Sequence, residues 1–282
     1  MNSFSRLTGP LILAGVASVC AKPPAHIENV APLPAGAPVR TERLGEYPTA
    51  LTAIMNSFEQ ALGLPRVEVS LVLFPNRRSF ELGLVDRGYT PALARDASSF
   101  NAIGGARAVL VNAAVVNGFN RTRRIRLLAH ELVHTLQYQF GGGTRGASEQ
   151  WLREGVAEWI ACRVTAHLDL APFESLREEL LGLLAGARPG LQAAPFDQLV
   201  TFPQWVEAQQ RYETPLYVQA FVAAELLIEL RGLPAVVGYF ERFRTTKDHR
   251  RAFVEAFALE RADFERAFQR RWRETVTQFS AR

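Results

Sequence analysis

Apolar residues in this 282-residue chain recur at two different periods, and the period changes along the sequence. In the N-terminal half, residues 67–74 (VEVSLVLF) and 107–112 (RAVLVN) alternate β-branched and other residues over short runs, as half-buried strands do. A helical pattern over 48–62 precedes the first of them. From 125–140 (IRLLAHELVHTLQYQF) onward the spacing is helical, continuing from about 148 and over 175–184, 203–211, 214–231, 234–244, 250–259 and 261–278. Phe253, Phe257, Phe264, Phe268 and Trp272 recur at that spacing across the last two, an aromatic stripe suited to a core. The pattern predicts an α+β fold, a small N-terminal sheet followed by a mainly helical C-terminal part, folded as one unit over 41–282. That length is ample for a sizeable core, and no internal repeat interrupts it.

The helix over 125–140 carries His130-Glu131-Leu132-Val133-His134 within an apolar frame of Leu127, Leu128, Leu132, Val133 and Leu136. Residues four apart lie on nearly the same helical face, about 6 Å apart along the axis. Both imidazoles can therefore hold one metal ion, with Glu131 beside them to act as a general base on water. Two histidines and a glutamate on a buried helix each need a partner. The other histidines, His26, His167 and His249, form no spacing pattern with these and read as surface or capping residues.

A hydrolytic metal site built on two histidines needs a third protein ligand. A metzincin extension would place Gly at 137 and His at 140, where this chain has Gln137 and Phe140. An aspzincin ligand would be an Asp three residues after Thr144, and Ala147 stands there. The remaining solution is a glutamate on the next helix, within Trp151-Leu152-Arg153-Glu154-Gly155-Val156-Ala157-Glu158-Trp159. The glycines at 141–143 break the first helix, and Ser148 offers a serine cap for the second. His134 lies six residues before the break and Glu154 six after the restart, about 9 Å each, so an antiparallel hairpin brings them level. Glu158, one turn beyond, can reach the outer nitrogen of a ligand histidine; it is also the alternative ligand.

These residues resemble the gluzincin branch of zinc metallopeptidases, and within it the bacterial peptidase MA-like domains. The resemblance covers residues 127–161 and rests on HELVH followed by WLREGVAEW, with nineteen residues between His134 and Glu154. It implies a zincin-like fold and one Zn2+ held by His130, His134 and Glu154. It also implies Glu131 as the base, Glu158 orienting a histidine, and a peptide or protein substrate hydrolysed by activated water. By the same likeness Tyr217, near the start of the helix over 214–231, is the oxyanion donor, with Tyr212 as the alternative. Tyr138 shares the histidine face but reads as packing. Pattern and resemblance together make strand 107–112 a sheet edge that holds an extended peptide, with Gly104-Gly105 allowing close backbone approach.

The remaining signals concern location and partners. Residues 1–21 read as a secretory signal, with Arg6, an apolar run and a small-residue site ending at Ala21; the run is short and contains Pro10, which argues against a membrane span. Cys20 offers a lipoprotein alternative, but Val19 stands where a small residue is usual. Residues 22–40 read as a Pro/Ala-rich linker. An exported protein, periplasmic or secreted, is expected, and Cys162 alone after processing excludes an intrachain disulfide. The net charge of +4 is carried almost wholly by arginine, Lys22 and Lys247 being the only lysines, and it does not suggest a nucleic-acid surface. The densest basic run, 121–126, falls at a helix start and reads as a solvated end, with contact to acidic substrate groups as the alternative. A second functional class, a non-catalytic zinc-holding domain that binds peptides, has no need of Glu131. Nothing in the pattern specifies an oligomeric state.

Overall fold

The computed structural model describes residues 27–34, 37, 39–144, 148–188 and 190–280. The stretch read as a secretory signal, with Cys20, lies outside them. Strand β1 (Glu28–Val30) comes first, then helix α1 (Tyr47–Leu62), β2 (Ser70–Phe74), α2 (Arg77–Val85), α3 (Pro91–Ala97), β3 (Ala102–Gly104), β4 (Ala108–Asn112) and α4 (Ala113–Val116). The strands form one sheet in the order β1-β2-β4-β3, with β2 and β4 parallel and both outer strands antiparallel to their neighbours. The protein is thus α+β, a four-stranded sheet among many helices.

Two expectations change here. Glu28–Val30, inside the stretch read as a linker, pairs with β2, and Val30 is buried. The Leu33 N–H then donates to Thr52 Oγ1 of α1 at 2.8 Å. Three residues amid prolines are too few to show a strand period, so sheet pairing rather than local preference decides this segment. The strand over 107–112 is not an edge, because β4 lies between β2 and β3. The outer strand next to the motif helix is β3.

The second half is α5 (Arg121–Phe140), α6 (Gln150–His167), α7 (Phe173–Leu181), α8 (Phe202–Arg211), α9 (Leu216–Arg231), α10 (Leu233–Arg242), α11 (His249–Phe257) and α12 (Arg261–Ser280). Asn120 caps α5 by accepting from the Arg123 N–H at 2.8 Å, which offsets its basic first turn. Two of the four arginines in that run are structural: Arg124 donates to the carbonyls of Gly45 and Asn117, and Arg126 pairs with Glu158. Ser148 does not cap α6. The carbonyls of Val200 and Leu199 accept from the Gln150 and Trp151 N–H groups, and Ser148 Oγ instead accepts from Arg153.

Helix α6 is buried nearly all round, as its small amphipathicity requires, between α5 and α9. Gly155 is what lets α9 approach. A Cβ there would sit 2.0 Å from the Ala220 carbonyl oxygen, so any side chain would push the two helices apart beside Glu154. The aromatic stripe packs as expected: Phe264 stacks on Trp151 and packs with Phe253 and Phe268, and Trp272 Nε1 donates to the Leu191 carbonyl at 2.9 Å. Arg261 of α12 pairs with the buried Glu149 and lies over Trp151, Phe196 and Phe253, fixing the start of α6. Among the described residues no helix is long and apolar enough to cross a membrane.

Candidate metal centre

The α5–α6 hairpin brings His130, His134 and Glu154 together, all buried, with one ligand atom from each lying within 4.8 Å of the others. His130 Nε2 is 3.2 Å from Glu154 Oε2, and His134 Nε2 is 3.5 Å from Glu154 Oε1. The two imidazoles stand nearly perpendicular, centroids 4.9 Å apart, so both Nε2 atoms converge on the same carboxylate. Two nitrogens and a carboxylate held in this way could hold a metal ion.

Each group is fixed from behind. Glu158 Oε2 accepts from His130 Nδ1 at 3.1 Å, and its other oxygen accepts from Arg126. Burial alone would raise the Glu158 pKa, but the His130 hydrogen bond and the Arg126 charge outweigh it and hold the carboxyl at about 2. It is therefore ionised and accepts only, so His130 Nδ1 carries a proton toward it. Glu158 thus stands behind His130, and Glu154 is the carboxylate that both Nε2 atoms face. On the other side, His134 Nδ1 lies 3.0 Å from Gln137 Oε1. Gln150 Nε2 donates to Glu154 Oε1 at 2.5 Å. Burial opposes ionisation of Glu154 as well, yet the two histidines pull its pKa well below the usual carboxylate range.

Glu131 faces the sheet edge, where its Oε2 accepts from the Gly104 N–H at 2.5 Å. That approach requires glycine: a Cβ on Gly104 would lie 2.3 Å from the Glu131 carbonyl oxygen and 2.8 Å from His134 Cβ. Burial pushes the Glu131 pKa up, with the Glu154 charge adding to the rise and both histidines and the Gly104 bond opposing it. A raised carboxyl pKa is what a proton acceptor working near neutral pH needs.

Tyr217, in the first turn of α9, stands with its ring centroid 6.4 Å from that of His130 and edge-on to Trp205 at 5.2 Å. Burial, then the charges of Glu154 and Glu131, push its hydroxyl pKa well above the ordinary phenol value, so it remains a proton donor. Tyr212, at the end of α8, instead donates to Gln198. Tyr138 packs under the Arg153 guanidinium at 5.2 Å. Cys162 is buried on α6, with Sγ 4.0 Å from Glu158 Oε1.

Sequence reasoning gave no role here to Arg126, Gln137 or Gln150. A usable signal existed for Gln137, which follows His134 by three residues and so shares its face. Arg126 meets Glu158 only through the hairpin, and no local pattern shows that.

No protein-family model and no solved structure matches the chain. The chain is similar to "Uncharacterized protein YhcO" of Bacillus subtilis (strain 168), 25% identical over 150 residues. The match covers 52% of this chain and 41% of that relative, so the chain spans less than half of the relative's length.

Proposed function

We propose that this protein is an exported zinc-dependent metallopeptidase of the gluzincin type, with His130, His134 and Glu154 as ligands. The observation that carries the reading is a buried, converging His-His-Glu set with a glutamate free of ligand duty beside it. The donor set fits zinc. Two imidazole nitrogens and a carboxylate oxygen lie within 4.8 Å of one another, near enough to close around one ion with bonds of about 2.0–2.1 Å after a small adjustment. Nitrogen and carboxylate donors with both outer imidazole nitrogens tied back are the arrangement such an ion favours.

A zinc ion held there would supply Lewis acidity, acidifying water and polarising a peptide carbonyl. The protein's own groups do the rest. Glu131 takes the proton from water and delivers it toward the leaving amine, aided by its raised pKa. Tyr217, kept protonated, donates to the oxygen on which negative charge develops. The β3 edge beside Glu131 presents backbone groups to an extended substrate. Glu131 favours catalysis over a purely structural site, which needs no base.

The test is metal content by emission spectroscopy followed by peptide cleavage with and without a chelator, in wild type and Glu131→Gln. Stoichiometric zinc and chelator-sensitive cleavage are expected, with about 10²–10⁴-fold slower turnover in Glu131→Gln at unchanged metal content. Zinc without hydrolysis across a broad peptide library would point to a binding domain, and absence of stoichiometric metal would remove the centre itself.

A further inference from the structure

We propose that Gln137 is the positioning residue for His134: its amide holds a proton on Nδ1 and so leaves Nε2, which faces Glu154, as the atom offered to the metal position. The functional meaning of this role rests on the metal-centre reading above, while its content rests on three hydrogen-bonding groups.

The two ends of a glutamine amide are alike in shape, but here the surroundings tell them apart. One end lies 3.0 Å from the backbone oxygen of Arg153. A carbonyl only accepts, so that end is the NH2 group. The carbonyl end therefore faces His134 Nδ1 at 3.0 Å. Being an acceptor, it requires a proton on that nitrogen. Gln137 is 2% exposed, so bulk water offers neither end another partner. One tautomer of His134 satisfies all three groups, and it leaves Nε2 as the ligand atom.

The anchor is well placed. Arg153 immediately precedes Glu154, so the chain His134–Gln137–Arg153 carbonyl ties a ligand of α5 to the turn of α6 that bears the carboxylate. Met at this position has similar volume but neither accepts from the imidazole nor donates to the carbonyl.

The experiment uses full-length wild type, Gln137→Met and Glu158→Gln. Zinc affinity is measured by competition with a chromophoric chelator, and the imidazole state by 15N-resolved NMR. Gln137→Met is expected to fold, to bind zinc about 10–100-fold more weakly, and to lose the hydrogen-bonded Nδ1–H signal of His134 seen in wild type. Glu158→Gln should leave that signal in place. A folded Gln137→Met with wild-type zinc affinity overturns the proposal, as does a wild-type His134 with a bare Nδ1. If Gln137→Met does not fold, the wild-type spectrum alone decides. If wild type takes up no zinc, the metal-centre reading fails, and the spectrum of the metal-free protein still decides whether Gln137 holds the proton.

Discussion

His130 and His134 turn the same atom, Nε2, toward Glu154 but are held from behind by different chemistry. Behind His130 stands an ionised carboxylate, Glu158, itself paired with Arg126, which also reaches Glu179. Behind His134 stands a neutral amide anchored on a backbone carbonyl. The difference follows from what already surrounds each ring. His134 lies on the side of the hairpin where β3 closes over α5, next to Glu131, whose pKa burial, and then the Glu154 charge, already raise. A further carboxylate in the place of Gln137 would press that pKa higher and add an uncompensated buried charge. His130 has a cation within reach, so a carboxylate there is neutralised. The arginine, and not the histidine, decides which arm can carry charge.

The largest effect should come from the group both arms share. Glu154→Ala removes the carboxylate that both Nε2 atoms face, and metal content should fall from stoichiometric to background with loss of hydrolysis. Emission spectroscopy on the purified variant checks it. Retention of metal in Glu154→Ala, with its loss in Glu158→Ala, would exchange the two glutamates' roles and dissolve the comparison.

Next is the contrast between the arms. Arg126→Met leaves Glu158 buried without its cation and should destabilise the fold by about 2–3 kcal/mol, the low end for a broken buried pair because both side chains keep some exposure. Gln137→Met leaves the His134 Nδ1–H without its acceptor, while the Arg153 carbonyl keeps its place in the α6 ladder, and should cost about 1–2 kcal/mol. Urea unfolding of the metal-free proteins measures both. Equal losses would mean that the charge on the His130 arm contributes nothing beyond its hydrogen bonds.

Acid separates the arms further. The Glu158 carboxyl sits at about 2 in the folded protein against an ordinary 4.5. The unfolded chain therefore takes up the proton first, and the stability from this group, complete above pH 4.5, is lost as pH falls toward 2. In Arg126→Met the depression is smaller, so the acid-induced loss from this group should be smaller and should be complete at a higher pH. Gln137 does not titrate, so Gln137→Met should lower the whole curve without moving that limb. Unfolding free energies of metal-free protein from pH 6 to 2.5 give the comparison.

The hairpin and its three converging residues were legible in the sequence because helix period, a glycine break and a count of residues fix depth without tertiary knowledge. The count brought Glu154 level with His134 but left Glu158 as the alternative, and it is Glu154 that both imidazoles face. The short strands β1 and β3 could not be read, since three residues carry no usable period and their pairing is decided by the sheet. Ser148 looked like a cap, but backbone carbonyls 50 residues on reach the same N–H groups. Arg126 read as part of a solvated basic run because its partner lies on another helix. Polar residues that support a site from within look, in one dimension, like surface residues.

The smallest effect expected concerns Cys162, which sits on the His130 arm against Glu158. Burial, with the Glu158 charge adding to it, pushes the thiol up to about 12, so at pH 8–9 almost none is thiolate and native Cys162 should resist alkylation. Reaction then requires local opening of α6, and its rate reports how firmly that arm is held. Arg126→Met should speed alkylation of Cys162, located by peptide mapping, whereas Gln137→Met should leave it near the wild-type rate. Equal acceleration in both would show that α6 opens as one piece and that the arms, though different in chemistry, are not mechanically separate.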